Sequence, residues 1–169
     1  MSDQEVSAAA QNEDEFVTFV LGSPISYSLK GHQETARTIE LRPPAARHSR
    51  ECAALKQAFF RAVKDQEDST GAAEAEVDLA SPDERKKNGG AGIISVLAMS
   101  SSVSLPDTLD VAKKLLTNGV AFVDGEVKLT AHLIDAMSQD DFERLVGDYL
   151  ANFTLASAFA PSVTPSKNS

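Results

Sequence analysis

The chain has no tryptophan and a single cysteine, Cys52. One thiol excludes an internal disulfide, and such a chain fits a reducing compartment. Aromatic residues are sparse at 6%, but the hydrophobic fraction of 42% is ordinary and supports a core. No apolar run approaches the length of a membrane span. The opening segment, Met1 to Glu15, lacks the basic and apolar regions of a signal peptide. Bases are outnumbered, 16 Lys and Arg against 25 Asp and Glu, for a formal net charge of -9. That balance argues against nucleic acid as a partner of the whole molecule. These absences predict a soluble, intracellular protein of one domain or two very small ones.

What charge there is falls in blocks. Met1 to Glu15 carries five acids and no base, whereas Phe16 to Lys64 carries eight bases against three acids. Asp65 to Gly92 returns to eight acids against three bases, and Val103 to Ser157 has nine against four. A solvated helix face accounts for such a pattern. Head-to-tail attraction between the basic and acidic blocks of neighbouring copies is the sharper account.

Hydrophobic periodicity predicts an α+β fold. Phe16 to Leu21 is a strand candidate closed by Gly22-Ser23-Pro24. Ile25, Tyr27 and Leu29 alternate with serines, and Ile39 and Leu41 alternate with polar residues, giving two hairpin arms. The connection is polar and contains Gly31. Pro43-Pro44 ends the second arm because proline has no N–H for the ladder. Cys52, Leu55, Phe59 and Val63 follow at helical spacing. Asp65 to Gly92 reads as a flexible acidic, Gly-rich linker, with a short helical piece near Ala72 to Val77. Ile93 to Met99 reads as a short helix.

Ser104, with Pro106 in the first turn, caps the next helix, which Asn118-Gly119 stops. Asp124-Gly125 marks a hairpin. Thr130 and Ser138 cap the last two helices, the final one carrying Phe142, Leu145, Val146, Tyr149, Leu150 and Phe153 on one stripe. The expected organisation is a disordered 1–15, a β-hairpin plus helix block at 16–64, the linker at 65–92, a mainly helical block at 93–157, and a disordered tail at 158–169.

Few residues assemble into chemistry. His32, His48 and His132 lie far apart without metal-ligand spacing, so neither metal nor other cofactor is expected. Cys52 falls on the apolar stripe of its helix and reads as a structural thiol. Gly89-Gly90-Ala91-Gly92 lacks the Gly-Lys-Ser/Thr ending of a phosphate loop and reads as a linker hinge. Asp140 and Asp141 are explained by the dipole of the helix they open. Phe59 continues the core stripe, while the adjacent Phe60 points elsewhere and is the candidate for an exposed contact with a client or another copy. Tyr149 and Phe153 are candidates for a second apolar surface, with core packing the competing explanation.

The phrase Ile39-Glu40-Leu41-Arg42-Pro43-Pro44 with a helix straight after it resembles the opening of tail assembly chaperones of long-tailed bacteriophages. Gly147 to Phe153, Gly-Asp-Tyr-Leu-Ala-Asn-Phe, is similar to the closing phrase of members of that group. The acidic stretch Asp65 to Gly92 and the Asp124-Gly125 hairpin depart from the simpler members. The resemblance implies a non-enzymatic protein that coats the helical, aggregation-prone tape measure protein, helps to recruit tail tube protein, and is absent from the finished virion. It also implies work in the host cell cytoplasm, and in many phages of this kind a longer version of the protein arises by frameshifting near the end of the short reading frame. Lys167-Asn168 is compatible with an A-rich slippery stretch. Self-association is the expectation that goes with the sharper account of the charge blocks. The alternative is a structural virion component, such as a tail tube, tail completion or head–tail joining protein.

Overall fold

The computed structural model describes residues 16–70 and 82–155. The expected disordered ends at 1–15 and 158–169, and the helical piece near Ala72 to Val77, lie outside the described residues. The elements are strands β1 (Val17–Leu29) and β2 (His32–Leu41), a 3-10 turn (Ala46–His48), helices α1 (Ser49–Thr70), α2 (Pro82–Met99) and α3 (Leu105–Leu116), strands β3 (Ala121–Val123) and β4 (Val127–Lys128), and helices α4 (Ala131–Asp135) and α5 (Gln139–Tyr149). A single π turn, Leu150–Thr154, extends α5. The fold is α+β.

The sheet is antiparallel in the order β1-β2-β3-β4. Alternation decides which face is covered. Phe19, Leu21, Ile25, Tyr27, Ala36, Ile39 and Leu41 are buried, while Thr18, Val20, Ser26, Ser28 and Arg37 between them are exposed. Burying each large aliphatic side chain contributes roughly 1.5–3 kcal/mol. The hairpin turn is tighter than its polar sequence implies: Leu29 pairs with His32, so Lys30 and Gly31 alone make the turn. Both have positive φ, as a two-residue turn of this twist demands.

The first strand is a correction. Gly22-Ser23-Pro24 does not close it; β1 runs on to Leu29 through a register shift between Val20 and Ile25. A bulge of this kind leaves backbone N–H groups without a ladder partner. Here Asp141 takes them: its Oδ1 accepts from Gly22 N–H at 2.8 Å and its Oδ2 from Ser23 N–H at 3.0 Å. Asp141 is itself buried, its own N–H capped by the Ser138 hydroxyl and its carboxylate 3.3 Å from Arg144. The Arg144 guanidinium also lies over the Phe19 ring, 5.3 Å from its centroid. Asp141 is thus more than a first-turn charge.

A second correction concerns the linker. α2 runs from Pro82 to Met99, so the Gly-rich stretch is helical, and Ile93 to Met99 is its last part. The reason is a helix crossing. Gly90 of α2 lies backbone against backbone with Gly147 of α5, and a Cβ on either would collide with the other's main chain. Two glycines let the axes approach closely enough for Ile93, Val96, Leu97, Leu145 and Val146 to share one core.

The blocks expected at 16–64 and 93–157 are not separate in space. β3 joins the N-terminal hairpin directly, with Ile39 opposite Val123 and Leu41 opposite Ala121. Buried residues from both blocks form one cluster. The local signals hold where they are local: Ser104, Thr130 and Ser138 accept from Asp107, Leu133 and Asp141 N–H respectively. Asp124 and Gly125 take the positive φ of the β3–β4 turn, within a three-residue loop between Val123 and Val127.

Burial pushes the Asp141 carboxyl up, but the N–H groups of Gly22 and Ser23, the Ser138 hydroxyl and Arg144 outweigh it and hold the group below its ordinary value. A carboxyl lowered in the folded state adds stability that is complete above the ordinary carboxylate pKa and is lost as pH falls through the lowered one. Asp141→Ala is expected to cost about 2–4 kcal/mol in urea unfolding at pH 7. Its stability should also fall less steeply than wild type below about pH 4.

Candidate functional site

Helix α1 organises the surface. It runs without Gly or Pro, with Glu51 in its first turn against the dipole. Leu55, Phe59 and Ala62 enter the core, with Cys52 and Val63 half-buried beside them. His48 locks the start of α1. The Ala45 N–H donates to its Nδ1 at 2.8 Å, and its Nε2 lies 2.9 Å from the Asn118 carbonyl, tying α1 to the end of α3. Sequence spacing had left His48 without a partner, because Asn118 is 70 residues away.

Two grooves flank α3. The first, about 350 Å³, lies between α1 and α3. Ala54, Leu55, Ala58 and Arg61 form one wall, Asp107, Thr108 and Val111 the other, with Ser102, Val103 and Ser104 at the end. Ala54 and Ala58 are the small side chains of a wall that also carries Leu55, Gln57 and Arg61. Asp65 fixes the end wall: its Oδ2 accepts from the Ser100 hydroxyl at 2.6 Å, from Ser102 N–H at 3.1 Å and from the Ser102 hydroxyl. The Ser100 and Ser102 hydroxyls hold the Asp65 carboxyl below its ordinary value.

The second groove, about 360 Å³, lies among α3, α4 and α5. Leu109, Ile134, Met137 and Phe142 lie just beneath its surface, and Asp110, Asp135 and Lys113 rim it. Lys113 donates to Asp135 at 2.6 Å.

The predicted contact residues divide. Phe60 is 44% exposed, with its ring in an edge contact to buried Phe59 at 5.8 Å. Tyr149 is 2% exposed and is no surface contact. It sits in the core because its hydroxyl finds the Arg42 carbonyl at 3.1 Å, satisfying the one polar atom that burial would strand. Burial pushes its phenol well above the ordinary value. Phe153 is half-buried against Tyr149, ring centroids 5.0 Å apart, so the second apolar surface expected from this pair is packed inward. Burial likewise raises the Cys52 thiol, with the neighbouring Thr154 hydroxyl pulling the other way. That setting is the reverse of an activated nucleophile. Phe16, Val20 and Met99 are further exposed apolar residues.

Among the described residues, no group of three or more His, Cys, Asp or Glu is gathered to hold a metal ion. No helix among them is long and apolar enough to cross a membrane. No family model, curated protein or solved structure matches the chain.

The adjacent phenylalanines provide a direct test of these assignments. Phe59→Ala is expected to lower unfolding stability by about 3–5 kcal/mol, and Phe60→Ala by less than about 1 kcal/mol, in matched urea titrations.

Proposed function

We propose that the protein is a tail assembly chaperone of a long-tailed bacteriophage, a non-enzymatic holder of the tape measure protein. The observation that carries this reading is the α1–α3 groove, open between two helices, with Ala54, Leu55, Ala58, Val103 and Val111 among the residues that line it. An amphipathic helix binds by laying apolar side chains at i, i+3, i+4 and i+7 into such a groove. Arg61 and Asp107 on opposite walls offer charges of both signs to the polar flanks of a client helix. Asp65 holds the end wall, so the groove is formed before the client arrives and less ordering entropy is lost on binding.

The order of elements supports the same reading, with a hairpin closed by Arg42-Pro43-Pro44, a helix straight after it, and a helical block ending in Gly147 to Phe153. In this function the protein keeps the tape measure protein soluble in the host cytoplasm, helps to bring tail tube protein to it, and leaves before the virion is complete. The net charge of -9 keeps the loaded complex in solution.

Co-expression with the tape measure protein of the same phage, followed by solubility and pull-down assays, tests the proposal. The client is expected to become soluble and to co-purify. Ala54→Arg and Ala58→Arg, which fill the groove, should weaken capture at least about tenfold. A client that stays insoluble, with this protein present in purified particles by mass spectrometry, would replace the chaperone reading with a structural virion component.

A further inference from the structure

We infer that the acidic segment Asp3 to Glu15 docks on the basic corner that Arg42, Arg47 and Lys128 build at one end of the sheet, so that the chain covers its own cationic patch. Cross-strand register assembles the corner. Glu40 stands opposite Phe122, and Phe122 opposite Lys128, so the three side chains share one face. It is the solvent face, since Thr18, paired with Glu40, is exposed. Arg42 lies over the Phe122 ring, 3.9 Å from its centroid. Arg47 reaches the same corner from the 3-10 turn. Its Nη2 donates to the Asn118 carbonyl at 3.4 Å. A Cβ on Gly119 would stand 3.0 Å from that nitrogen and 4.0 Å from Lys128 Cε, so Arg47 and Lys128 flank a single glycine.

The acids near this corner are Glu40, Glu51 and Glu126. Glu40 is joined to Arg42 Nε at 2.7 Å. Glu51 stands in the first turn of α1, against the helix dipole. Glu126 lies in the β3–β4 turn. Among the described residues, Arg47, its neighbour Arg50 and Lys128 enter no ion pair. Cations without an anion, set beside an aromatic ring, suit the carboxylates of a peptide segment.

Chain continuity names the occupant. Val17 pairs with Leu41, so Phe16 stands level with Arg42, and the residues before Phe16 join the sheet at this corner. Those residues are Glu13-Asp14-Glu15, the last three of five acids in a stretch with no base. Three residues span about 10 Å, roughly two strand spacings, which is enough to pass from β1 over Arg42 towards Phe122 and Lys128. A tether this short gives an effective concentration of roughly mM, above that of a separate acidic chain at ordinary concentrations. Neither Arg42, Arg47 nor Lys128 lines the α1–α3 groove, so this contact stands apart from the proposed client site.

Zero-length carbodiimide cross-linking of the full chain, read by mass spectrometry, tests this contact. Lys128 is expected to join Glu13, Asp14 or Glu15, and the yield should fall as salt rises towards about 1 M. R42Q/R47Q keeps both cross-linking partners but removes two cations, and should lower the yield at least about fivefold. Mixing isotope-labelled and unlabelled chains shows whether the link forms within one chain, as expected. A second measurement does not depend on how R42Q/R47Q folds. Full-length E13Q/D14Q/E15Q, with the patch uncovered, should bind a labelled polyglutamate peptide at least about tenfold more tightly than wild type. The inference is overturned if Lys128 joins none of the three acids, if its links form only between chains, or if both proteins bind polyglutamate equally. Client capture is measured separately, so failure here leaves the chaperone proposal standing.

Discussion

The Asp141 carboxylate holds the two ends of the described chain against each other. It reaches from the first turn of α5 to two backbone N–H groups in β1, 118 and 119 residues earlier. A bulge with unpaired donors and a buried carboxylate are each unfavourable alone; together each satisfies the other. Ser138 positions the carboxylate, and Arg144 balances its charge while lying over Phe19. Once α5 is anchored on the sheet, the Gly90–Gly147 crossing sets α2 against α5. The same anchor fixes one wall of the groove lined by Met137, Gln139 and Phe142.

The surfaces follow from that frame. α1 gives its large apolar residues to the core and keeps small ones, Ala54 and Ala58, toward α3. A helix that presented leucine at those positions would pack onto α3 and close the groove. Phe60 is the exception, a large apolar side chain left outside on a helix whose neighbouring aromatic, Phe59, is buried. Singly exposed apolar residues are ordinary.

Much of the fold is legible in the sequence wherever a signal is local. Caps at Ser104, Thr130 and Ser138, the stop at Pro43-Pro44 and the turn at Asp124-Gly125 each concern partners within a few residues. Strand alternation predicted the buried face of the sheet, and the Phe59–Phe60 split followed from helical period. What escaped depends on residues distant in the chain. A strand interrupted by Gly22-Ser23-Pro24 looks like two strands until Asp141 is seen to satisfy the interruption. Consecutive glycines look like a hinge until Gly147 is found against one of them. Tyr149 keeps its helical phase, but the Arg42 carbonyl that draws it inward is 107 residues away. The grooves are spaces between helices, and no periodicity encodes their width.

The central claim is that this compact α+β unit works by receiving a helix between α1 and α3. Amide hydrogen exchange, measured with and without a soluble segment of the tape measure protein, addresses it most directly. Protection confined to residues 54–61 and 102–111 is the result the account predicts. Unchanged exchange there, or protection centred on the exposed face of the sheet instead, would contradict it.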